Sequence, residues 1–289
     1  LLREKKEERD YQVLDELPFY FNGAGYVNKH RTALFLLEES TGKLTRITRE
    51  TFSVGGAHLS ADGKKILYTG QAFTVKRKEK SGVYVYDLET GSTTELLKPR
   101  VYSLYDAAWW GDKILLLGTD SKRYGINENA QFYTLDAETR EVSLFAPYEQ
   151  AVGSSVGSDC RLGGGRDLIA QDGKYYFVAT IRNASHVYCL EQTGEIRPVY
   201  TQEGSVDCMD VRDGKLYFVG MQDMKLQEVY AWDEAKQERT QLTFLNEKAL
   251  GGVYVAMPQK LSYENDGTDL DGWVLLPKDF DPSKTYPAV

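Results

Sequence analysis

The segment Asp172-Gly173-Lys174-Tyr175-Tyr176-Phe177-Val178 decides the fold class of this 289-residue chain. Asp-Gly is the strongest short signal for a β-hairpin, because both central residues of a type I′ turn take positive φ. The near-continuous apolar run that follows is typical of a strand buried on both faces. A turn followed by an apolar run occurs three more times, at residues 62–68, 111–117 and 213–219. The chain is therefore built on an internal repeat.

Each copy of this turn is followed by two further predicted strands. The first runs into a polar turn, and the second is short and polar. The units recur about every 40 to 60 residues, which is the range for four-stranded β-propeller blades. An earlier copy, at residues 33–37 and 43–48, has only its outer half. The intermediate strands with their turns are expected at residues 83–91, 131–139, 187–194 and 229–233, and the outer strands at Thr93–Leu97, Glu141–Phe145, Glu195–Tyr200 and Arg239–Thr243.

The repeat predicts an all-β fold over residues 1–249, a partial β-propeller with four full four-stranded blades and an outer half-blade. A β-sandwich also alternates strands and turns, but the recurring order of turn and strands favours the propeller. The pattern breaks at Leu250. Residues 250–289 are predicted to be a linker and the first strands of an α/β-hydrolase-like second domain. They would form a hairpin with a polar turn at Glu264–Asp271, followed by an incoming strand at Tyr286–Val289.

Composition argues against several classes of partner. The formal net charge is −8, and the basic residues form no run longer than Lys76–Lys78. We therefore expect neither nucleic acid nor an anionic membrane to bind. No apolar run approaches the roughly 20 residues of a membrane span. The three cysteines are expected to be reduced thiols rather than a disulfide framework or a zinc site.

The first ten residues, Leu1–Asp10, carry eight charged side chains and lack the apolar stretch of a signal peptide. They are expected to form an exposed charged helical turn or loop inside a longer chain. This pattern favours a cytoplasmic protein, and removal of an upstream targeting signal stays open as an alternative.

One literal match to the serine-hydrolase motif Gly-x-Ser-x-Gly occurs, at Gly153–Gly157. The motif places its serine on a tight turn between a buried strand and a helix. Residues 148–152 do not form a convincing buried strand, and the glycine-rich residues 158–165 cannot form a helix. The match is therefore predicted to be an ordinary loop.

The remaining candidates for chemistry also favour structural roles. His30, His58 and His186 lie in three different repeats without a partner nucleophile, so we predict that they belong to the scaffold. The acidic stretch Asp266–Gly272 lacks the ligand spacing of a calcium loop and is predicted to be a hairpin turn. The segment Gly163–Arg166 lacks the Lys-Ser/Thr of a phosphate loop. The sequence thus predicts no catalytic residue, no cofactor and no metal site in this chain.

Two segments resemble the acylaminoacyl-peptidase-like branch of the prolyl oligopeptidase family of serine peptidases. The first is Val13–Tyr26, a stretch that runs along a propeller blade in that branch and usually has Asp where Asn22 stands here. The second joins Asp271–Pro277 to Phe280–Val289. In the family this segment opens the α/β-hydrolase domain and leads into a His-Gly-Gly oxyanion segment. The blades between are similar in style, so the resemblance covers essentially the whole chain.

The resemblance implies a fragment, truncated at both ends, of a serine peptidase with a seven-bladed propeller. The parent would cleave short peptides or release blocked N-terminal residues with a Ser-Asp-His triad and no cofactor. The triad would lie beyond Val289, so the chain itself should be inactive, and its propeller would act as a steric filter. Its partners would be short peptides and its own hydrolase domain, and a homo-oligomer stays open.

Two other functions compete with this interpretation. A stand-alone propeller serving as a protein-interaction scaffold should end by closing its ring with a strand from its N-terminus. This chain instead leaves the repeat and runs through Trp273 to Pro287. A glycosidase or lyase would need clustered carboxylates or a metal set, and the sequence shows neither.

Overall fold

The computed structural model describes residues 11, 13–160 and 164–288. The expectations for Leu1–Asp10 and for Gly163 lie outside these ranges. Strands dominate the described chain, which confirms the predicted all-β class. No described helix is long and apolar enough to cross a membrane.

Within the described residues, helix is limited to α1 (Glu247–Leu250) and a 3₁₀ turn at Gly125–Asn127. The chain divides into two compact units. The first unit comprises residues 1–152, 170–177 and 189–197, and the second comprises residues 153–169, 178–188 and 198–289.

Two small hairpins precede the repeats in the first unit. β1 (Tyr20–Phe21) pairs with β2 (Gly25–Tyr26), and β3 (Phe35–Glu38) pairs antiparallel with β4 (Lys43–Arg46). Every residue of β3 and β4 is exposed. The β3–β4 hairpin lies where the sequence predicted the outer half of a blade, although both of its strands are shorter than expected.

Two four-stranded antiparallel sheets follow, each with its strands in chain order. This meander is the strand order of a propeller blade. The first sheet contains β5 (Phe52–Leu59), β6 (Lys65–Ala72), β7 (Gly82–Asp87) and β8 (Thr93–Leu97), and the second contains β9 (Ser103–Trp110), β10 (Lys113–Thr119), β11 (Gln131–Leu135) and β12 (Val142–Ala146). The outer strand β8 has the predicted bounds, and β12 begins one residue later than predicted.

The next two sheets are formed by β13 (Ala151–Val152), β14 (Leu168–Gln171), β15 (Lys174–Ile181), β16 (Ala184–Leu190), β17 (Ile196–Tyr200), β18 (Cys208–Arg212), β19 (Lys215–Gly220), β20 (Glu228–Asp233) and β21 (Glu238–Gln241). The third sheet has the order β13-β15-β16-β17, with β14 also paired to β15. The fourth sheet is again a four-stranded meander, from β18 to β21. The described residues therefore contain one sheet for each of the four repeats.

The Asp-Gly turns at residues 172–173 and 213–214 join the first and second strands of a hairpin, β14 to β15 and β18 to β19. Asp172 and Gly173 have φ of 51° and 71°, and Asp213 and Gly214 have φ of 50° and 71°. Positive φ at both positions is what a type I′ turn requires. The apolar run after each turn is therefore the second strand, and the strand before it was not predicted. β5 shows the reason, because two glycines interrupt its apolar pattern and mark a bulge in its pairing.

Side chains packed between neighbouring sheets form the core of the first unit. In β6 all residues except the first and the last are buried. Leu67 and Val83 of the first sheet pack in one cluster with Leu116 and Leu135 of the second. Each buried side chain of this size stabilises the fold by about 2 kcal/mol. Neighbouring repeats thus stabilise each other, as in other repeat proteins.

Aromatic side chains fill the core of the second unit. The ring centroid of Tyr200 lies 4.7 Å from that of Phe218 and 5.2 Å from that of Trp232. Trp232 Nε1 donates a hydrogen bond to Val199 O over 2.9 Å. The indole therefore buries its apolar surface while its single donor stays satisfied.

A buried carboxylate fixes the segment that leaves the fourth sheet. Glu228 is only 1% exposed. It accepts hydrogen bonds from Thr243 Oγ1 (2.5 Å), Leu245 N (3.0 Å) and Asn246 N (2.9 Å). Such bonds offset the cost of burying a charge, so this carboxylate ties the chain ahead of α1 to β20.

One hairpin of the second unit lies outside the repeats, and it pairs β22 (Gln259–Asn265) with β23 (Thr268–Val274). Its turn, Asp266-Gly267, has positive φ of 49° and 73°. The predicted hairpin turn is confirmed, but it is much shorter than Glu264–Asp271. Every residue of β22 is exposed. Residues 285–288 are not in a strand, so the incoming strand expected there is wrong for the described residues.

Candidate functional site

The Gly153–Gly157 loop lacks the geometry of a nucleophile elbow. It follows β13, which has only two residues, and residues 153–160 contain no helix. Gly153 takes a positive φ of 96°, so the chain turns before the first serine. An elbow instead places its serine directly between a buried strand and a helix.

The two serines of this loop hydrogen-bond to other neutral groups. Ser154 Oγ lies within hydrogen-bond distance of Ser185 Oγ (3.0 Å) and of Val156 O (3.2 Å). Ser155 N donates to Thr180 Oγ1 over 2.8 Å. A serine nucleophile needs a general base within hydrogen-bond reach, and in the described part of the chain neither serine has one.

The three histidines occupy different local settings. His30 lies in an exposed turn ahead of β3. His186 lies in β16, where its Nδ1 is buried without a hydrogen-bond partner among the described residues. Burial lowers the pKa of His186, because it disfavours the charged imidazolium. His58 is the histidine that contacts a carboxylate.

His58 belongs to a polar junction in the first unit. Its Nε2 lies 2.7 Å from Asp106 Oδ1, and Tyr175 Oη donates to Asp106 Oδ2 over 2.7 Å. Asp106 is 6% exposed and Tyr175 is 1% exposed. The three residues come from the first, second and third sheets, so one carboxylate links three repeats. Both of its oxygens are engaged, which favours a role in holding the sheets together.

The partners of His58 were not found from the sequence. Asp106 lies 48 residues after His58, and Tyr175 lies 69 residues after Asp106. One signal was available, because Asp106 interrupts an apolar run that begins at Leu104 and ends in Ala107-Ala108-Trp109-Trp110. A charge on a buried strand needs a partner, but the sequence does not say which one.

The Gly153–Gly157 loop also borders a polar cavity of about 290 Å³ in the second unit. Asp167 and Asp207 supply carboxylates to its wall, and the buried Gln227 supplies an amide. Burial raises the pKa of the Cys208 thiol, so this side chain stays protonated and weakly nucleophilic. The cavity offers groups that can hydrogen-bond a peptide, without a paired nucleophile and base.

Metal ligands do not cluster in the described part of the chain, where no group of three or more His, Cys, Asp or Glu side chains could hold an ion. Cys160, Cys189 and Cys208 are free thiols, as predicted. The turn at Asp266-Gly267 closes a hairpin and is not built as a calcium loop.

Comparison with known proteins finds similarity to peptidases and to a propeller-type protein. No protein-family model matches it. Over 99% of its length it is 21% identical to the uncharacterized peptidase YuxL of Bacillus subtilis, of which it covers 45%. Acylaminoacyl peptidase of Pyrococcus horikoshii matches 98% of this chain with a TM-score of 0.70 and 19% identity, over 42% of that protein. The propeller-type TolB of Acinetobacter baumannii matches 84% with a TM-score of 0.50 and 13% identity, over 57% of that protein.

The chain spans less than half the length of these two peptidases. At these identities the structural matches show the fold, and they confirm the predicted partial β-propeller. Sequence and structure together confirm that this chain resembles the acylaminoacyl-peptidase-like branch of the prolyl oligopeptidase family.

Proposed function

We propose that the chain is the substrate-gating propeller part of a serine peptidase similar to acylaminoacyl peptidase. The observation that carries the proposal is the extent of the match. Similarity to two peptidases covers 98% and 99% of the chain, and thus includes the hairpin outside the repeats. A match confined to the blades would fit many unrelated propellers, because one fold hosts many functions.

In this proposal residues 1–249 belong to a seven-bladed propeller, and residues 250–289 lead into the hydrolase domain. The contrast in burial supports this division. The second strands of the repeats are largely buried, whereas β22 is exposed along its whole length. An isolated hairpin buries too little apolar surface to be stable by itself.

The catalytic triad belongs, in this proposal, to the hydrolase domain rather than to these residues. Ser154 and Ser155 hydrogen-bond to neutral groups, and Asp106 is already engaged by His58 and Tyr175. The chain on its own is therefore expected to hydrolyse no peptide.

The role of the propeller is to select substrates by size. A ring of blades encloses a central channel, and side chains packed between neighbouring sheets keep such a ring rigid. A short or unfolded peptide can pass through an opening of this kind, whereas a folded protein cannot. The free thiols at Cys160, Cys189 and Cys208 fit a reducing compartment and hence a cytoplasmic peptidase.

The gating role can be tested with the complete protein that the gene encodes. An N-acetylated pentapeptide and a folded protein carrying the same five N-terminal residues serve as matched substrates. We expect cleavage of the pentapeptide and no cleavage of the folded protein until that protein is unfolded. Equal kcat/KM for the two substrates would show that the propeller does not gate.

The alternative, a stand-alone propeller acting as an interaction scaffold, is less well supported. The TM-score is 0.70 for the peptidase and 0.50 for TolB, and the peptidase also covers more of the chain. The coding sequence past Val289 distinguishes the two functions. Continuation past Val289 into a His-Gly-Gly segment and a strand-Gly-x-Ser-x-Gly-helix unit supports the peptidase, and a stop codon there supports the scaffold.

A further inference from the structure

A basic pocket with apolar walls lies in the first unit, in a region that the peptidase proposal does not use. Its volume is about 290 Å³. Its apolar wall includes Phe21, Val27 and Phe73, and its basic side chains are His30, Arg31 and Arg77. Among the residues that the structure describes, no Asp or Glu lines it. On a chain with a net charge of −8 this local excess of positive charge does not follow from composition.

Arg31 is the fixed member of the pocket. Its Nη2 lies 2.5 Å from Glu16 Oε1, and the two side chains are 6% and 5% exposed. Its guanidinium carbon lies 3.7 Å from the ring centre of Phe73. Hydrogen bonds from Arg31 hold the pKa of Glu16 below its ordinary value, so the pair is ionised. This packing locks the guanidinium in one orientation.

One donor of Arg31 remains unused by the protein. Its Nε is buried and has no hydrogen-bond partner within the described ranges. Buried polar groups are nearly always hydrogen-bonded, and an orphaned donor costs free energy. The terminal nitrogens of Arg31 bond to Glu16, His30 O and Phe73 O, so its guanidinium is a fixed part of the pocket wall.

Arg77 and His30 supply the uncommitted side chains of the pocket. The Arg77 backbone is held in place, because its N donates to Leu17 O over 2.8 Å. In the described part of the chain, neither the Arg77 guanidinium nor the His30 ring makes a hydrogen bond or an ion pair. Glu16 balances the charge of Arg31, so Arg77 carries the net charge that a ligand meets.

We propose that this pocket binds the carboxylate of an apolar C-terminal residue. The planar guanidinium of Arg77 matches the geometry of a carboxylate, which can accept two parallel hydrogen bonds from it. The phenyl walls suit an apolar side chain next to that carboxylate. A volume near the lower end of the usual range for ligand sites, roughly 300–1,000 Å³, accommodates about one residue.

The same chemistry has two sources, the C-terminus of a short peptide and an N-acyl amino acid. A peptidase of the proposed class would encounter both, as substrate and as product. Binding here requires no hydrolysis, so the site and the proposed function can fail independently.

Isothermal titration of the chain with N-acetyl-phenylalanine and with its amide tests the proposal. We expect the acid to bind and the amide to bind at least about tenfold more weakly, because the charged hydrogen bonds are lost. An N-acetylated tripeptide ending in phenylalanine distinguishes the sources. Binding of the tripeptide supports a peptide C-terminus, and binding of the acyl amino acid alone supports the product. Equal affinities for acid and amide would overturn the proposal.

Matched arginine variants locate the site. Arg77→Gln should weaken binding of the acid about tenfold or more and leave the amide unchanged. Arg100→Gln removes an exposed arginine of the same unit that does not line the pocket, and it should have no effect. Thermal unfolding checks that both variants fold. Equal losses of affinity for the acid in the two variants would indicate a general charge effect and would contradict the assignment of the site.

Discussion

The second sheet, β9 to β12, and the β22–β23 hairpin are both built from antiparallel strands in chain order, yet they differ in burial. In β10 every residue after the first is buried, whereas in β22 every residue is exposed. Leu116 of β10 is 0% exposed and Leu261 of β22 is 52% exposed. Strand pairing is thus the same in both regions, and the packing of neighbouring sheets is what distinguishes them.

This difference teaches where the stability of the chain lies. The repeats bury each other's second strands, so each sheet depends on its neighbours. The hairpin shows apolar side chains such as Tyr263 and Trp273 to solvent. It therefore contributes little stability by itself, and in the proposed function it is the part that joins the hydrolase domain.

The largest expected effect on the free energy of unfolding comes from removing a leucine side chain from the second sheet rather than from the β22–β23 hairpin. Leu116→Ala should lower the free energy of unfolding by about 2–5 kcal/mol, because it leaves a cavity between two sheets. The matched change Leu261→Ala in the exposed hairpin should lower it by no more than about 0.5 kcal/mol. Urea unfolding followed by circular dichroism measures both. Losses of similar size would mean that the hairpin is packed as tightly as the repeats.

A second substitution, at Glu228, tests the segment that leaves the fourth sheet ahead of the β22–β23 hairpin. Burial alone would raise the pKa of Glu228, but the hydrogen bonds from Thr243, Leu245 and Asn246 outweigh it and lower the pKa. The carboxylate therefore stabilises the folded state above the ordinary pKa of 4.5, and this contribution is lost as pH falls through the lower folded-state value.

Glu228→Gln should accordingly destabilise the chain by about 1–3 kcal/mol at pH 7 and by less in acid. Urea unfolding at several pH values measures the difference. Glu238→Gln in the neighbouring strand is the control, because Glu238 is exposed, and it should change stability little. A loss for Glu228→Gln that stays constant with pH would show that the charge is not what holds the segment.

The smallest effect concerns the contacts between repeats. Tyr175→Phe removes one hydrogen bond to Asp106 and should cost about 1 kcal/mol. Tyr105→Phe removes the hydroxyl of an exposed tyrosine in β9, and its effect should be close to zero. A double-mutant cycle of Tyr175→Phe with Asp106→Asn should give a coupling energy of about 0.5 kcal/mol or more. Additive losses would show that the junction does not couple the sheets.

Local chemistry made much of the fold predictable. The turns at Asp172-Gly173 and Asp213-Gly214 and the outer strand Thr93–Leu97 follow from turn residues and burial patterns that a short window contains. The first strands were missed because their own residues give no clear apolar pattern, as the two glycines of β5 show. β14 shows this, since only one of its four residues is buried, and its sequence gives no clear period.

The sites were harder to predict, because they depend on residues far apart in the chain. Asp106 meets His58 and Tyr175 only once three repeats are folded. The basic pocket likewise combines Arg31 with Arg77, which belong to separate segments of the sequence. By contrast, the Gly153–Gly157 match could be weighed from its local context, because the strand and helix that the motif requires are adjacent to it in sequence.

The central claim is that these residues form a propeller whose chemistry is supplied elsewhere in the protein. Hydrolysis of N-acetyl-alanine p-nitroanilide by the 289-residue chain and by the complete gene product tests it most directly. We predict turnover by the complete protein alone, at a rate that Ser155→Ala leaves unchanged. Turnover by the 289-residue chain that Ser155→Ala abolishes would contradict the account.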